Sequence, residues 1–538
     1  MSGQLDILEQ STMFNGTVST SDAARARYSR DASIFEVTPA GVITPQDTND
    51  IKTVVRWANR MCREGTPVHL APRVGGTCMS GGSLTQGYVL NLKSYYNHIG
   101  EPDVLARTIR VQSGAMHIDV ETKVSNAGLL FAPYTSSRDI CGIGGMIGNN
   151  ASGEKSVKYG AVSDNVKRLK VVLSDGNEYE FGPLDRIQLE LKKQQPDFEG
   201  EIYRKVDSIL TKNRRLISEN RVRTKKNAAG YALWDLWQDR DTEFNLARLF
   251  IGAQGTLGVV TEAELELVTQ PKHTRMIVTP IENLSDLPDV VRTSLYYEPV
   301  SCETFDHYTY ELAEKYHPED AKRANVAKGK HMVVLTVFDG NHQERIDRTA
   351  GKAKEKLESM GYETYWIDDD ETVESFLTIR RKSFKMLLEH PLPGTRAQAF
   401  VEDTIVPLED YDVFLKQLEQ LLAEENMTYT YAGHIGDGSI RLIPLVDMES
   451  EGAAERVMAL EDKVNDLVIK LGGSISVDHN DGIIRTPYLE KQFGTEMIQL
   501  FREIKQTFDP YGIFNPGKKL DGTREYAVEH IIRENAAH

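Results

Sequence analysis

Three glycine-rich segments stand far apart in the first half of the chain: PRVGGTCMSGG at 72–82, CGIGGMIGNNASG at 141–153 and GAQGTLGVV at 252–260. Paired glycines let a backbone turn tightly and close its N–H groups on phosphate oxygens. The first segment alone reads equally well as a surface turn. Three such loops at strand ends, spread over about 180 positions of one domain, predict a large cofactor wrapped by several loops. The second is nearly GxGxxG and raises a Rossmann dinucleotide site. Context argues against it, because that motif opens an apolar helix after the first strand of a βαβ unit. Here the glycines run into polar NNASGEKS deep in the chain.

A chain of 538 residues is longer than the roughly 250–300 at which one core stops growing, so at least two domains are expected. The composition, 40% hydrophobic and 27% charged, is that of an ordinary globular protein. A net charge of -17 repels nucleic-acid phosphates and anionic membrane surfaces, so an acidic substrate binds only where local cations override the field. Cys62, Cys78, Cys141 and Cys302 lie far apart with no CxxC pair, which excludes an iron–sulfur cluster or zinc ribbon and suggests free thiols. The N-terminus lacks a basic start and an apolar run, and no stretch approaches the ~20 apolar residues of a membrane span. The cytoplasm is the default location.

Along the chain, Ile51, Val54, Val55 and Ala58 recur at the spacing of a helix buried on one face. Strands PVHLAP and YVLNL, then RTIRVQSG with a helix at HIDVETKVSNAG, read as short βαβ units. LKVVLSDG and EYEFG suggest a hairpin. Residues 186–245 are charged and helical, as in an insertion, and beyond 270 longer amphipathic helices alternate with strands. The expected division is a cofactor domain at 1–270, a second domain at 271–485 and a C-terminal segment at 486–538 that returns to the first.

The order of motifs is specific. PRVGGTCMSGG, PYTSSRDICGIGGMIGNNASG with SVKYG, LFIGAQGTLGVVTEAELEL, EDTIVP, AGHIGDGS, VDHNDG and FNPGKK together resemble the FAD-linked dehydrogenases of the D-lactate and glycolate dehydrogenase type, in the vanillyl-alcohol oxidase superfamily. The resemblance covers roughly residues 28–520. It implies an α+β fold: a two-lobed PCMH-type FAD-binding domain plus a cap domain with an antiparallel sheet and flanking helices. The first loop, Arg73, Val74, Gly75, Gly76, Thr77, Cys78 and Ser80, and the second, with Pro133, Ser136, Gly144, Gly145, Asn149, Ala151 and Ser152, would then hold the pyrophosphate and flank the flavin ring. Gly255 and Val260 would sit by the adenine and ribose, and Asn515 would approach the ring from the C-terminal segment. Some relatives attach the flavin through a His or Cys. Thr77 stands where that His is expected and Cys141 suits a small buried filler, so FAD is expected to be noncovalent.

The same resemblance places a substrate site in the cap. Metal-dependent members carry HxGDGNxH followed by a Glu-His pair, whereas here Arg441 replaces the second His and Asp478 the Glu. A divalent metal on His434 and Asp478 is therefore doubtful, since a cation beside a metal is repelled. Arg441 could instead supply the missing positive charge, or could be an exposed strand residue paired with Asp437 or Asp447. His479, beside Asp478 in a glycine-bounded turn, is the expected general base. Arg380 is the expected grip on the substrate carboxylate, with one arginine of the Arg380/Arg381 pair left solvated. Lys225, Lys226, Asn227 and Tyr231 resemble a loop on the substrate side of the flavin. The implied function is oxidation of a small D-2-hydroxy acid of the D-lactate, glycolate or 2-hydroxyglutarate class, by hydride transfer to FAD. The implied partners are that substrate and an electron acceptor such as a quinone or electron carrier, with room for a homodimer. Two rivals remain: non-redox chemistry on the same scaffold, as in ether-lipid synthases, whose run of histidines is missing from VDHNDG, and a flavin-binding protein with a decayed active site.

Overall fold

The helix Thr48–Arg63 begins at Asp47, whose carboxylate accepts from the N–H groups of Asn49 and Asp50, and it buries Ile51, Val54, Val55 and Ala58. That apolar stripe lies against a small sheet. In the computed structural model, which describes residues 8, 11–238, 242–325, 331–425 and 427–535, the strands Gly41–Thr44 and Leu70–Arg73 on either side of this helix both run parallel to Tyr88–Asn91, which lies between them. Thr17–Ser19 adds an antiparallel edge to Gly41–Thr44. This is the first lobe.

The second lobe differs from the sequence expectation. Thr108–Gln112 and the helix His117–Ser125 do not continue into a parallel βαβ unit. The strand after the helix is only Leu129–Leu130 and pairs with Val268–Thr269, while Thr108–Gln112 runs antiparallel to Val259–Glu266. A four-stranded antiparallel sheet results, completed by Val166–Val172 and the hairpin partner Glu178–Phe181. The SDG turn joins this hairpin, with Gly176 at φ +76 as a tight turn requires. The second glycine run also departs from expectation. It is itself a short helix, Ile143–Asn149, stopped by Asn150 in the left-handed region. Glycine lets it lie almost on the neighbouring backbone, since a Cβ on Gly144 would stand 2.8 Å from Ser113 O. It leads into the antiparallel sheet and so opens no Rossmann unit.

Residues 271–485 carry an eight-stranded antiparallel sheet. Successive side chains alternate between its faces. Ile277 and Val334 join Ile346, Ala350 and Leu357 of the helix Gln343–Ser359 in one core, and Met276, Val333 and Leu335 join Phe376 and Ile379 of the helix Asp370–Glu389 in another. Three neighbouring strands, Ser301–Asp306, Thr428–Gly433 and Ser439–Val446, pair Thr304 with Gly433 and Ala432 with Arg441. That register brings Glu303, His434 and Arg441 to one end of the sheet.

The last segment threads back through both lobes. The helix Leu489–Phe508 buries Phe493, Phe501 and Phe508 in the core of the second lobe, and Ile513 and Phe514 pack with Leu70 and Leu90 in the first. Leu70 N–H donates to Ile513 O (2.8 Å) and Asn515 N–H to Leu70 O (2.9 Å). Lys519 is fully buried. Its Nζ lies 2.8 Å from Asp481 and donates to Ala228 O and Gly230 O, tying this segment to the 228–230 loop and to the turn after His479. Removing one partner of a buried pair strands the other charge, at a cost of about 3–5 kcal/mol. Lys519→Ala is therefore expected to lower the thermal unfolding temperature of the purified protein clearly, and an unchanged melting profile would count against this tie.

Candidate active site

The three glycine-rich loops converge on one cleft, about 830 Å³ of empty space open at its mouth. Arg73, Val74, Gly75, Gly76, Thr77 and Cys78 line it from the first loop, Gly144, Gly145 and Asn149 from the second, and Gly255 and Val260 from the third. The Arg73 guanidinium is committed elsewhere, donating to Tyr28 O (3.0 Å) and Arg30 O (2.6 Å). Gly145 has no atom within 4 Å of an added Cβ, and Gly148 only one, at 3.8 Å. Side chains there would project into the cleft, which is the shape a large planar and phosphate-bearing cofactor needs. Cys141 is buried beside Thr135 Oγ1 (3.3 Å) and is absent from the cleft wall, whereas Cys78 lines it. Burial raises the pKa of the Cys78 thiol and keeps it protonated.

The other expected cofactor residues lie off the wall. Pro133 and Ala151 are buried and Ser136 is exposed. Ser80, Ser152 and Asn515 are braces. Ser80 Oγ donates to His479 O (2.9 Å), Ser152 Oγ donates to Asp478 Oδ2 (2.9 Å), and Asn515 Nδ2 donates to Gly82 O and Gln254 O. Sequence reasoning passed over Gln254. Its side chain donates to Ser80 Oγ and Asn149 Oδ1 and accepts from Gly482 N–H. The available signal was a non-glycine residue between two turn-forming glycines; in the structure it takes a φ of +50.

The turn VDHNDG joins these loops to the cap. Asn480 Nδ2 donates to Asn149 O (3.1 Å) and Gly252 O (2.9 Å), and Ile483 N–H donates to Ser80 O (2.7 Å). From the cap side, Asp403 accepts from the backbone N–H groups of Val477, Asp478 and His479 at 2.8, 3.1 and 3.0 Å. His479 and Asp478 are thereby fixed at the boundary between cleft and cap.

Around them lies a buried cluster of charges. Arg441 Nη2 is 3.1 Å from both oxygens of Asp478. It is thus neither an exposed strand residue nor a partner of Asp437 or Asp447, because its strand directs it inward. Asp437 instead lies 2.7 Å from Lys226 Nζ and accepts from Ser156 Oγ. Arg380 Nη2 is 3.0 Å from Glu303, and His434 Nδ1 is 2.8 and 3.0 Å from the Glu303 oxygens. Arg381, expected to be solvated if Arg380 is not, makes a two-point contact with Glu154 at 2.8 and 2.7 Å. Neither arginine is left in water, since the helix Asp370–Glu389 is flanked on that side by Glu154. His479 Nδ1 bonds Glu402. Glu303, Glu402 and Arg485 were not anticipated. The only cue for Glu303 was a charged residue in the interior of the strand Ser301–Asp306.

Burial and neighbours sort the two histidines. Burial, reinforced by Arg441, Lys226 and Arg380, drives the His434 pKa well below its usual value and leaves it neutral. Burial also acts against His479, but Glu402, Asp478 and Asp403 overcome it and the net shift is upward. Burial raises Glu303 to about 7 despite its cations. Arg441 above all overcomes the burial of Asp478 and holds it well below the carboxylate range.

These residues fit a metal poorly. His434 Nε2 and Asp478 Oδ2 are 3.8 Å apart, a spacing two ligands of one ion could have, but the Arg441 guanidinium occupies the approach to Asp478. The donors of Glu402, Asp403 and His479 lie within 4.8 Å of one another. They too are committed, to backbone N–H groups and to Arg485. A divalent ion would have to displace guanidinium from either set.

Residues 39–182 match the model of the FAD binding domain family, and residues 270–519 match that of the FAD linked oxidases, C-terminal domain. The chain belongs to the FAD-linked oxidase family. As such, it is 31% identical over 524 residues to D-2-hydroxyglutarate dehydrogenase of Pseudomonas putida, an alignment spanning 94% of this chain and 50% of that protein. The chain thus spans about half the length of that relative. It is 28% identical to glycolate oxidase subunit GlcD of Bacillus subtilis, across 95% of this chain and 96% of that one. Among solved structures, 4-ethylphenol oxidase from Gulosibacter chungangensis shares the fold of this chain, with a TM-score of 0.69 at 16% identity, covering 98% and 99% of the two chains. FAD is the cofactor these findings support, and the glycine cradle suits it. Among the described residues, no helix is long and apolar enough to cross a membrane.

Because Gly145 faces open space, Gly145→Val is expected to fold with an unchanged melting temperature in the FAD-free state yet bind FAD at least tenfold more weakly, a loss of about 1.4 kcal/mol. Fluorescence titration of the apoprotein with FAD checks this, and parent affinity would show that the cofactor does not reach Gly145.

Proposed function

We propose that this FAD-linked protein oxidises a small D-2-hydroxy acid of the D-lactate, glycolate or 2-hydroxyglutarate class. The observation that supports it most is the place of His479: in a turn hydrogen-bonded to all three cofactor loops, beside a buried group of cations that can hold a carboxylate. Bound FAD supplies the acceptor for the hydride on C2 of the substrate.

The chain's own residues supply orientation and proton removal. Arg380 is 4% exposed, and its Nε has no hydrogen-bond partner among the described residues. A planar guanidinium with donors in reserve suits a carboxylate, which it can grip at two points. Arg441, although its Nη2 is held by Asp478, likewise keeps Nε unbonded and so offers a second guanidinium donor beside Arg380. Exclusion of water strengthens each of these attractions. His479 is the base, taking the hydroxyl proton as C2 is oxidised. Its pKa is raised, so it is the better proton acceptor, while His434 is held neutral against Glu303 and contributes a polar wall. Only uncharged His479 accepts a proton, so activity should fall as pH drops through its raised pKa.

The electrons then pass to a quinone or an electron carrier, the cytoplasm is the expected compartment, and a homodimer is compatible with the chain. A screen of 2-hydroxy acids with an electron-accepting dye tests the reading, and absence of flavin bleaching under anaerobic conditions with every acid would overturn it. Within that assay, His479→Ala should slow flavin reduction by roughly 10²–10⁴-fold with FAD retained, the usual contribution of a positioned base. Arg380→Ala should weaken substrate binding as well as rate, since it holds the carboxylate in ground and transition states alike. Stopped-flow traces across substrate concentrations separate the two, and identical behaviour of the variants would refute this division of roles.

A further inference from the structure

We propose that Glu402, locked by Arg485, is the positioning residue that makes Nε2 of His479 the proton-accepting atom. This rests on His479 being the base. Glu402 is fully buried, with one carboxylate oxygen on His479 Nδ1 and the other accepting from Arg485 Nη2 at 2.7 Å. Arg485 cannot swing away. It is also fully buried and donates to Asn480 O (3.0 Å) and Phe400 O (3.2 Å).

An ionised carboxylate only accepts hydrogen bonds, so the nitrogen facing Glu402 must carry the proton when the ring is neutral. Nδ1 is that nitrogen, and the lone pair is left on Nε2. The His479 backbone is pinned independently by Asp403, so what Glu402 governs is the ring's orientation and tautomer. When the substrate's O–H bond breaks, its proton forms the N–H bond at Nε2. The positive charge so created lies against Glu402, and the hydrogen on C2 leaves with both electrons to bound FAD.

The groups facing His479 decide how much this matters. Asp478 Oδ1 is 3.6 Å from Nε2 and Asp403 Oδ1 4.0 Å from Nδ1, while Arg441 opposes them from the neighbouring strand. Glu402 makes the closest contact, and His479 and Arg485 offset its burial so that it stays ionised. His434 provides the contrast within the same molecule. It too bonds a buried glutamate through Nδ1 and, like His479, shares that glutamate with an arginine, but Arg441 and Lys226 add to Arg380 on its side, whereas Asp478 and Asp403 add to Glu402 beside His479. The two His–Glu pairs thus differ in the charges around them, and only the pair with Glu402 is arranged to hold a proton.

The test compares FAD-loaded parent, Glu402→Gln and His479→Ala in stopped-flow flavin reduction as a function of pH, using the best acid from the dye screen. Glu402→Gln is expected to slow reduction by roughly 10–100-fold, a large part of the 10²–10⁴ of a general base, and to shift the acid limb to lower pH while substrate affinity changes less than about threefold. A purely structural role would not move the acid limb. Parent rate and parent acid limb in Glu402→Gln, with His479→Ala slow, overturn the role of Glu402 alone. Parent rate in His479→Ala overturns the base assignment, and the proposal falls with it. If Glu402→Gln does not retain FAD, Arg485→Lys replaces it: freeing one side of the carboxylate should slow reduction severalfold at unchanged substrate affinity, and parent behaviour there overturns the proposal.

Discussion

The short turn from Val477 to Ile483 is the constraint on which the rest of the architecture hangs. It makes side-chain or backbone hydrogen bonds to each glycine-rich loop, at Ser80, at Asn149 with Ser152, and at Gly252 with Gln254. On its other side it is held by Asp403 and Arg485. Its geometry is demanding. Asn480 and Gly482 both have positive φ, and a Cβ on Gly482 would stand 2.0 Å from Ser80 O. The glycine is required by close approach of two backbones, which is also what makes the joint between cofactor loops and cap rigid.

Around this joint the protein buries several charges of both signs, each facing a partner. Glu303, Glu402, Asp403 and Asp478 face Arg380, Arg441, Arg485 and His479 in a region largely shielded from water. Networks of this kind are poor sources of net stability, because desolvation cancels much of the attraction. Their value lies in fixing protonation states. Asp478 is held ionised while burial lifts Glu303 to about 7, and two histidines with similar partners titrate in opposite directions.

Much of this was legible in the sequence, and what was legible was local. The stripe of Ile51, Val54, Val55 and Ala58, the SDG hairpin and the alternation of strands in the cap each depend on periodicity or turn chemistry within a few residues. The glycine loops were readable because positive φ favours glycine and close approach of two backbones requires it. What could not be read was pairing at long range. Arg441 finds Asp478 rather than Asp437 or Asp447 at the ends of its own strand, and His479 finds Glu402, 77 positions upstream. Nor does local pattern say that Thr108–Gln112 joins an antiparallel sheet, because its partner Val259–Glu266 is set by the whole lobe.

The returning C-terminal segment carries a consequence for how the chain acquires its shape. His69 Nδ1 meets Gly512 O across 443 positions, and Leu70 is bracketed by Ile513 and Asn515. During synthesis the first lobe emerges early, but the residues that close its apolar face emerge only after the whole cap. Contacts of such sequence separation form slowly, since loop closure must precede any reward. For the time it takes a ribosome to translate the intervening residues, at about 5–20 per second, the face around Leu70 and Leu90 stays open. The nascent chain therefore carries an uncovered apolar face for tens of seconds before residues 512–515 can close it.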